Sequence, residues 1–226
     1  MGSSGTAAGA EPRRERGQTR RERDGAKSKD KLIEATISCM ASYGPAGVSV
    51  ERITVAAGVS RGLVRHHFGS KRVLLLEAFR RLTDEYRAAF SARDPAAGGE
   101  PVAELRAAVA AGFRDAAAAP ERAHAWFGFW QAALGDPDLR EINVRVYADE
   151  RRRYAELFGA AARERDLALD PHEAGIGLVA LTDGAWSELL MDAVDFSVDD
   201  AVALCDGYID MMLERGRLRR DGARPG

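Results

Sequence analysis

PAGVSVERITVAAGVSRGLVRHHFGSK, residues 45–71, is the stretch that decides the fold of this 226-residue chain. Ser49 is a typical helix N-cap residue, and the apolar residues after it recur at helical spacing, which predicts a short helix. Gly58 ends that helix, because glycine readily adopts the left-handed conformation that a tight turn needs. Ser60 is then positioned to cap a second short helix, whose inner face would be Leu63, Val64 and Phe68.

Two short helices joined by a glycine turn are the sequence form of a helix-turn-helix. The second helix would present to solvent a basic face suited to an acidic polymer, formed by Arg61, Gly62, Arg65, His66 and His67. His66 and His67 are adjacent and point about 100° apart on a helix, so they cannot chelate one metal ion. Lys71 and Arg72 follow in the first turn of the next helix, where the helix dipole disfavours cations. A phosphate bound there would remove that conflict.

The run AGVSRGLVRHHFGSK closely resembles the recognition region of the tetracycline-repressor (TetR) family of transcriptional regulators. The similarity extends back through residues 29–50, KDKLIEATISCMASYGPAGVSV, which resemble the family's first helix and loop. The resemblance implies an N-terminal domain that binds double-stranded DNA. It places three residues at phosphate-contacting positions, Ser49, His67 and Lys71. It places others at positions that face base edges or the adjacent backbone, namely Arg61, Gly62, Leu63, Arg65 and His66, and Val50 and Ser60 complete the predicted contact set.

Arg65 and His66 stand where the family commonly has tyrosines, so the sequence leaves open which of them contacts a base and which a phosphate. Arg61 is of the right type to bond bidentately to guanine in the major groove. A bare solvated helix surface is the alternative interpretation of this face.

The charges divide the chain into a basic and an acidic part. Residues 1–72 carry 14 Lys and Arg against 7 Asp and Glu, whereas the remainder carries 19 against 28. This asymmetry favours a nucleic-acid contact attached to a regulatory body. Alanine, leucine, arginine and glutamate dominate, which predicts an all-α protein. Cys39 and Cys205 are isolated in apolar helical contexts, and this spacing argues against a zinc site or a disulfide-rich fold.

Four segments are predicted along the chain: 1–26 a disordered basic leader, 27–72 the helix-turn-helix domain, 73–216 a ligand-binding and dimerisation domain, and 217–226 a flexible tail. About nine helices are expected. The arginines of the leader could add loose phosphate contacts, or the leader could have no function. The N-terminus lacks the apolar segment of a secretory signal, and the least polar run, residues 174–191, contains Asp183 and Glu188. Both observations indicate a cytoplasmic protein.

The body also resembles one branch of the family, the choline-responsive repressor of betaine synthesis. The residues that carry this second resemblance are WFGFWQAALGDPDLREIN, 126–143, and GLVALTDGAWSELL, 177–190. Four rings crowd residues 126–130 and would cover nearly the whole circumference of a helix, so some belong to the core and others to a cavity or an interface. Asp183 shares a helix face with Val179, Trp186 and Leu190, and a buried carboxylate among apolar groups needs a partner.

An arginine, Arg145, Arg151 or Arg153, could pair with Asp183 structurally. Alternatively, a cationic ligand could be held by rings and a carboxylate together. A flat hydrophobic or aromatic ligand is the competing expectation. The predicted ligand-binding residues are Phe90, Trp126, Phe129, Trp130, Tyr147, Asp183 and Trp186.

Helices eight and nine are apolar on more than one face, which predicts a homodimer through the last two helices. No nucleophile–base pair, phosphate loop or metal cluster has usable spacing, so neither catalysis nor a cofactor or metal is predicted. The resemblance implies a ligand-responsive repressor that binds a near-palindromic operator and is released by a small-molecule effector. Two alternatives stay open, an effector-independent DNA-binding regulator and a helical enzyme on the same scaffold.

Overall fold

The computed structural model describes residues 11–91, 99–191 and 194–222. Within these ranges the chain forms nine α-helices, which confirms the all-α prediction: α1 (Glu11–Gly47), α2 (Val50–Ala57), α3 (Gly62–Phe68), α4 (Lys71–Ser91), α5 (Pro101–Ala118), α6 (Pro120–Gly135), α7 (Pro137–Arg165), α8 (Pro171–Leu190) and α9 (Val198–Gly222). No helix among the described residues is long and apolar enough to span a bilayer.

Both ends of the chain are more helical than the sequence predicted. Helix α1 begins at Glu11, so residues 11–26 of the predicted disordered leader are helical, while residues 1–10 lie outside the described residues. Helix α9 continues to Gly222 through most of the predicted flexible tail, and residues 223–226 lie outside the described residues. Extending an existing helix needs no new nucleus, and arginine and glutamate are good helix formers, so a polar segment can continue a packed helix.

The helix-turn-helix is delimited by backbone conformations that its sequence favours. Gly44, with φ 61° and ψ 178°, breaks α1 before Pro45. The connection between α2 and α3 contains no side-chain cap for α3: Arg61 occupies the cap position, and the first turn closes when the Leu63 N–H donates to the Ser60 carbonyl at 3.1 Å. The prediction that the Ser60 side chain caps this helix is therefore wrong.

Three helices of the body begin with an acidic N-cap followed by proline. The Glu100 carboxylate accepts from the N–H of Ala103 at 2.8 Å ahead of α5. Asp136 ahead of α7 and Asp170 ahead of α8 each accept two backbone N–H groups of the first turn. Each proline lies where the helix leaves an N–H unbonded anyway, so these dipeptides fix where the helices start.

The hydrophobic core has two parts. The first joins α1–α4 to α6 and includes Phe79, which stacks on Phe129 at 4.9 Å between ring centroids. The second joins α5 to α7, α8 and α9 around Phe113, Phe158 and Leu178. Helix α6 thus packs against the DNA-binding end of the molecule as well as against the body, and the predicted boundary after residue 72 does not separate two independent cores.

Candidate functional site

The turn between α2 and α3 is built from short-range hydrogen bonds. Ser49 Oγ accepts from the Arg52 N–H at 3.2 Å and caps α2. Gly58 is in the left-handed conformation with φ 63° and ψ 39°. The N–H groups of Gly58 and Val59 donate to the carbonyls of Val55 and Thr54 at 3.1 and 3.0 Å, which closes the end of α2. The chain therefore turns sharply between α2 and α3.

Helix α3 buries one side and exposes the other. Val64 and Phe68 are buried in the first core cluster. The exposed side carries the predicted basic face, and its fully exposed members are Arg61, Gly62, Arg65 and His66, with Ser60 beside them. The Arg61 guanidinium forms an ion pair with Glu51 at 2.8 Å, and both side chains are solvent-exposed. An ion pair in bulk water contributes little, so Arg61 can exchange Glu51 for another partner.

Two other predicted contact residues are partly covered. Val50 and Leu63 pack against the first core cluster and have less surface to offer than the polar residues around them. His67 is half-buried beside α1, and its Nε2 has no hydrogen-bond partner among the described residues. Burial, followed by the charges of His66 and Lys29, lowers the pKa of His67.

Lys71 and Arg72, at the start of α4, have protein partners. Lys71 Nζ donates to the Val48 carbonyl at 2.5 Å and ties α4 to the loop before α2. The Arg72 guanidinium bonds both Asp136 oxygens at 3.0 Å and Asp138 at 2.6 Å, at the α6–α7 connection. These contacts stabilise two cations at a helix N-terminus when no phosphate is bound, and the Lys71 ammonium keeps further N–H donors for one.

An aromatic cavity lies in the body between α4, α5, α6, α7 and α8. Its volume is about 50 Å³, and it is lined by Tyr86, Val109, Gly112, Phe113, Trp126, Phe127, Trp130, Tyr147, Glu150, Tyr154, Thr182, Asp183 and Trp186. Trp130 and Tyr147 stack with centroids 5.9 Å apart, and Tyr86 lies 5.2 Å from Trp126. One water needs only about 10–15 Å³, so the cavity has room for a compact chemical group.

Two carboxyl groups face this cavity. The Tyr86 hydroxyl on α4 donates to Glu150 Oε1 on α7 at 2.9 Å, and the Tyr147 hydroxyl donates to Asp183 Oδ1 on α8 at 3.0 Å. Burial, reinforced by the charge of Asp183, raises the pKa of Glu150 to about 7, against the hydrogen bonds from Tyr86 and Tyr154. Burial likewise raises the pKa of Asp183 to about 6, against the Tyr147 bond and the charge of Arg151.

Five predicted ligand-binding residues line this cavity: Trp126, Trp130, Tyr147, Asp183 and Trp186. Phe129 does not, because it is fully buried in the first core cluster against Phe79. The side chain of Phe90 lies outside the described residues. Glu188, considered with Asp183 as a possible charge, is exposed and outside the lining.

The arginines considered as partners for Asp183 include two with other contacts. Arg145 bonds Glu141 on its own helix. Arg151 lies over the Tyr147 ring at 5.6 Å and acts on Asp183 through its charge. The hydrogen-bond partner of Asp183 is thus a tyrosine rather than either of these guanidinium groups.

Sequence reasoning missed Glu150 and Tyr86. Glu150 belongs to the run Asp149–Arg153, which resembles an exposed charged surface. A signal was nevertheless available, because Tyr147, Glu150 and Tyr154 follow i, i+3, i+7 spacing and share one face of α7. Tyr86 follows Phe79 and Leu82 at helical spacing, so in the sequence it looks like one more core residue.

Comparison with known proteins identifies the class. The family model for bacterial regulatory proteins of the tetR family matches residues 32–78, and the model for the BetI-type transcriptional repressor C-terminal domain matches residues 101–214. The HTH-type transcriptional regulator BetI of Burkholderia thailandensis is 33% identical over 185 residues, which cover 80% of this chain and 91% of that protein. The chain therefore belongs to the TetR family of transcriptional regulators, with a BetI-type C-terminal domain, and is a repressor of this type rather than an enzyme.

Solved structures agree in fold. A proposed transcriptional regulator from Pseudomonas aeruginosa PAO1 is 30% identical with a TM-score of 0.75, covering 85% of this chain and 93% of that one. A proposed regulator from Saccharomonospora viridis, solved in complex with choline, is 20% identical with a TM-score of 0.74, covering 82% and 96%. TetR-family regulators bind DNA.

Proposed function

We propose that this repressor binds a near-palindromic operator as a homodimer and is released when a small organic cation enters the aromatic cavity. The observation that carries the proposal is the pair of carboxyl groups, Glu150 and Asp183, facing an aromatic cavity. The carboxylate charge and the aromatic rings of that cavity both favour a small organic cation.

The proposed DNA contact rests on the chemistry of α3. Its exposed side offers two guanidinium groups and an imidazole, and the first turn of the helix contains no acidic residue. In a dimer, the two α3 helices would enter successive major grooves about 34 Å apart. Ser49, with its N-cap hydroxyl at the start of α2, and Lys71 are proposed as phosphate contacts, since the bond from Lys71 Nζ to the Val48 carbonyl places the two residues near each other.

The proposed dimer interface is an apolar face that no element of the described part of the chain covers. Ile176 on α8 and Leu204, Met211 and Leu218 on α9 are all exposed. Exposed apolar groups on adjacent helices favour association, because burial removes them from water. Two copies of α8 and α9 would form a four-helix bundle, an arrangement in which each copy uses the same face.

A cation is favoured over a neutral ligand by the electrostatics of the cavity. Indole and phenol faces attract cations most strongly where water is excluded, by about 2 kcal/mol or more. Glu150 and Asp183 add negative charge once they ionise, and burial makes that charge costly without a partner. The choline bound to the Saccharomonospora viridis regulator is a ligand of this chemistry.

Helix α4 is the proposed connection between the cavity and the DNA. Tyr86 lines the cavity and bonds Glu150, while Lys71 at the other end of α4 bonds the loop before α2. A ligand that displaces the Tyr86–Glu150 bond would shift α4 and alter the spacing of the two α3 helices. The open volume beside Tyr86 supports this mechanism over an effector-independent regulator, whose ring cluster would be fully packed.

The test of the proposed function is a footprint with the full-length protein on DNA from upstream of its own gene. In that assay we expect Arg61→Ala to lower the binding free energy for the protected site by about 1–3 kcal/mol and to relax base specificity at one position. Lys71→Ala should weaken binding to all DNA sequences alike. Arg80→Ala, an exposed arginine on α4 that pairs with Glu77, is the charge-matched control and should bind normally. Equal, sequence-independent losses for Arg61→Ala and Lys71→Ala would contradict the assigned roles.

The dimer interface predicts a specific loss of assembly. Met211→Glu places a charge on a side chain that is 56% exposed in the monomer, so the fold should survive while the dimer dissociates. Leu134→Glu, at a side chain that is 78% exposed on α6, is the control and should remain dimeric in sedimentation velocity. Met211 is preferred to Leu181, which is partly buried in the second core cluster. A dimeric Met211→Glu with a monomeric Leu134→Glu would move the interface to α6.

A further inference from the structure

We propose that the effector is elongated, with its cationic head in the aromatic cavity and an apolar chain in a second, outer chamber between α4, α5 and α6. This inference rests on the proposed function and goes further, because it assigns the shape of the ligand as well as its charge.

The outer chamber directly adjoins the aromatic cavity. It has a volume of about 160 Å³, roughly three times that of the cavity, and the two share the residues Tyr86, Gly112, Trp126 and Trp186. One water needs about 10–15 Å³ of such space, so the aromatic cavity alone holds only a compact group and the chamber has room for several more. A larger effector must extend outward through the shared residues.

The chamber suits an apolar substituent. Its wall includes Leu82, Ala116, Ala119 and Ala123, which supply apolar surface from three helices. Its only arginine among the lining residues, Arg122, is already neutralised, since it bonds Glu34 at 2.7 Å and lies 3.5 Å from Glu85. The chamber therefore offers apolar surface to an alkyl chain, beside an arginine that is already paired.

Gly112 keeps the passage open. It lies inside α5, where glycine costs about 1 kcal/mol relative to alanine, and it lines both the cavity and the chamber. A Cβ added at this position would have no neighbouring group within 4 Å. A longer side chain at residue 112 would thus fill open space rather than strain the helix, and it would narrow the passage between the two spaces.

The test uses the full-length protein and alkyltrimethylammonium ions, from tetramethylammonium to hexyltrimethylammonium, in calorimetric titrations. Each buried methylene should raise the affinity about fourfold until the chamber is full. Gly112→Leu should abolish this gain with chain length, and so should Ala116→Leu, which lines the chamber but not the cavity and should leave tetramethylammonium binding unchanged. Gly135→Leu, at an exposed glycine on α6 with open space around it, is the matched control and should keep the full gain.

The outcomes separate the two proposals. The inference of an elongated ligand is wrong if tetramethylammonium binds but affinity does not rise along the series. It is also wrong if affinity rises as much in Gly112→Leu as in the wild-type protein. In either case the proposal of a cationic effector still stands. Failure of every ion in the series to bind the wild-type protein overturns both. Ala116→Leu fills the chamber from a different position, so it provides a second test if Gly112→Leu does not fold. Retention of the full gain in Ala116→Leu also contradicts the inference.

Discussion

The double variant Glu150→Gln, Asp183→Asn is expected to bind choline about 100-fold more weakly than the wild-type protein, or worse. A hydrogen bond or close contact to a charged group is worth about 1.5–3 kcal/mol, which is roughly 10- to 150-fold in affinity for each carboxylate. The amides keep the shape of the cavity and can still accept from Tyr86 and Tyr147. Only the charge is removed, so the neutral isostere 3,3-dimethyl-1-butanol should bind both proteins equally.

Glu188→Gln is the matched control for this experiment. Glu188 lies on the same helix as Asp183, but it is exposed and does not line the cavity. Its replacement should leave choline affinity and operator release unchanged, as measured by calorimetry and by DNA-binding titration. If choline and its neutral isostere bind the wild-type protein equally well, or if the double variant binds choline normally, the effector is not recognised by charge.

The same carboxyl groups give the response a pH dependence. Folding raises the pKa of Glu150 from an ordinary 4.5 to about 7 and that of Asp183 from 3.8 to about 6, chiefly by burial. The free protein therefore holds protons that the unfolded chain releases, and it loses stability as the pH rises through this range. Cation binding requires the ionised forms, so affinity should rise with pH, about tenfold per pH unit for each proton that must leave, and level off above about pH 7.

The opposite pH dependences of stability and of cation affinity can be measured on one protein. The rise in melting temperature caused by choline should be larger at pH 8 than at pH 5.5, although the free protein is more stable at the lower pH. In the double variant this dependence should disappear. A choline-induced shift that is equal at both pH values would show that neither carboxyl group exchanges a proton when the ligand binds.

The sequence predicted the helix-turn-helix well because the signals there are local. Ser49 and Gly58 act within four residues of themselves, through an N-cap bond and a left-handed turn. Ser60 illustrates the limit of such reasoning, because the same residue type that caps α2 leaves α3 uncapped. The backbone bond from Leu63 to Ser60 closes that turn instead, and a local pattern does not distinguish the two solutions.

The cavity was predicted in part. Asp183 and Trp186 share one face of α8, so periodicity alone brings them together, and both line the cavity. Periodicity does not say which side of α6 faces which neighbour, and α6 packs on both core clusters. Trp126 and Trp130 therefore line the cavity while Phe129, between them in sequence, belongs to the first core cluster. Glu150 was missed because its charged neighbours in sequence concealed that it points inward.

The close approach of α7 and α8 at Gly175 could not be predicted from the sequence either, since it depends on where two helices cross. A Cβ at residue 175 would lie 2.9 Å from the Arg151 carbonyl oxygen and 3.0 Å from the Ala155 nitrogen. Both atoms belong to the backbone of α7, so no side chain can rotate out of the way. These two helices also carry Tyr147, Glu150 and Asp183, so the crossing sets the geometry of the cavity wall.

Gly175→Ala should therefore force α8 away from α7 and destabilise the protein by about 1–3 kcal/mol, despite the better helix propensity of alanine. Gly135→Ala, at a helical glycine with nothing within 4 Å of an added Cβ, should be neutral or slightly stabilising. For a chain of this size a cost of about 1–3 kcal/mol corresponds to a melting temperature lower by about 2–12 °C. The displaced helix should also lengthen the Tyr147–Asp183 bond, which is 3.0 Å here, and weaken the response to choline. Equal melting temperatures for the two variants would mean that α7 and α8 can separate without cost, and Gly175 would then have no role in holding the two carboxyl groups together.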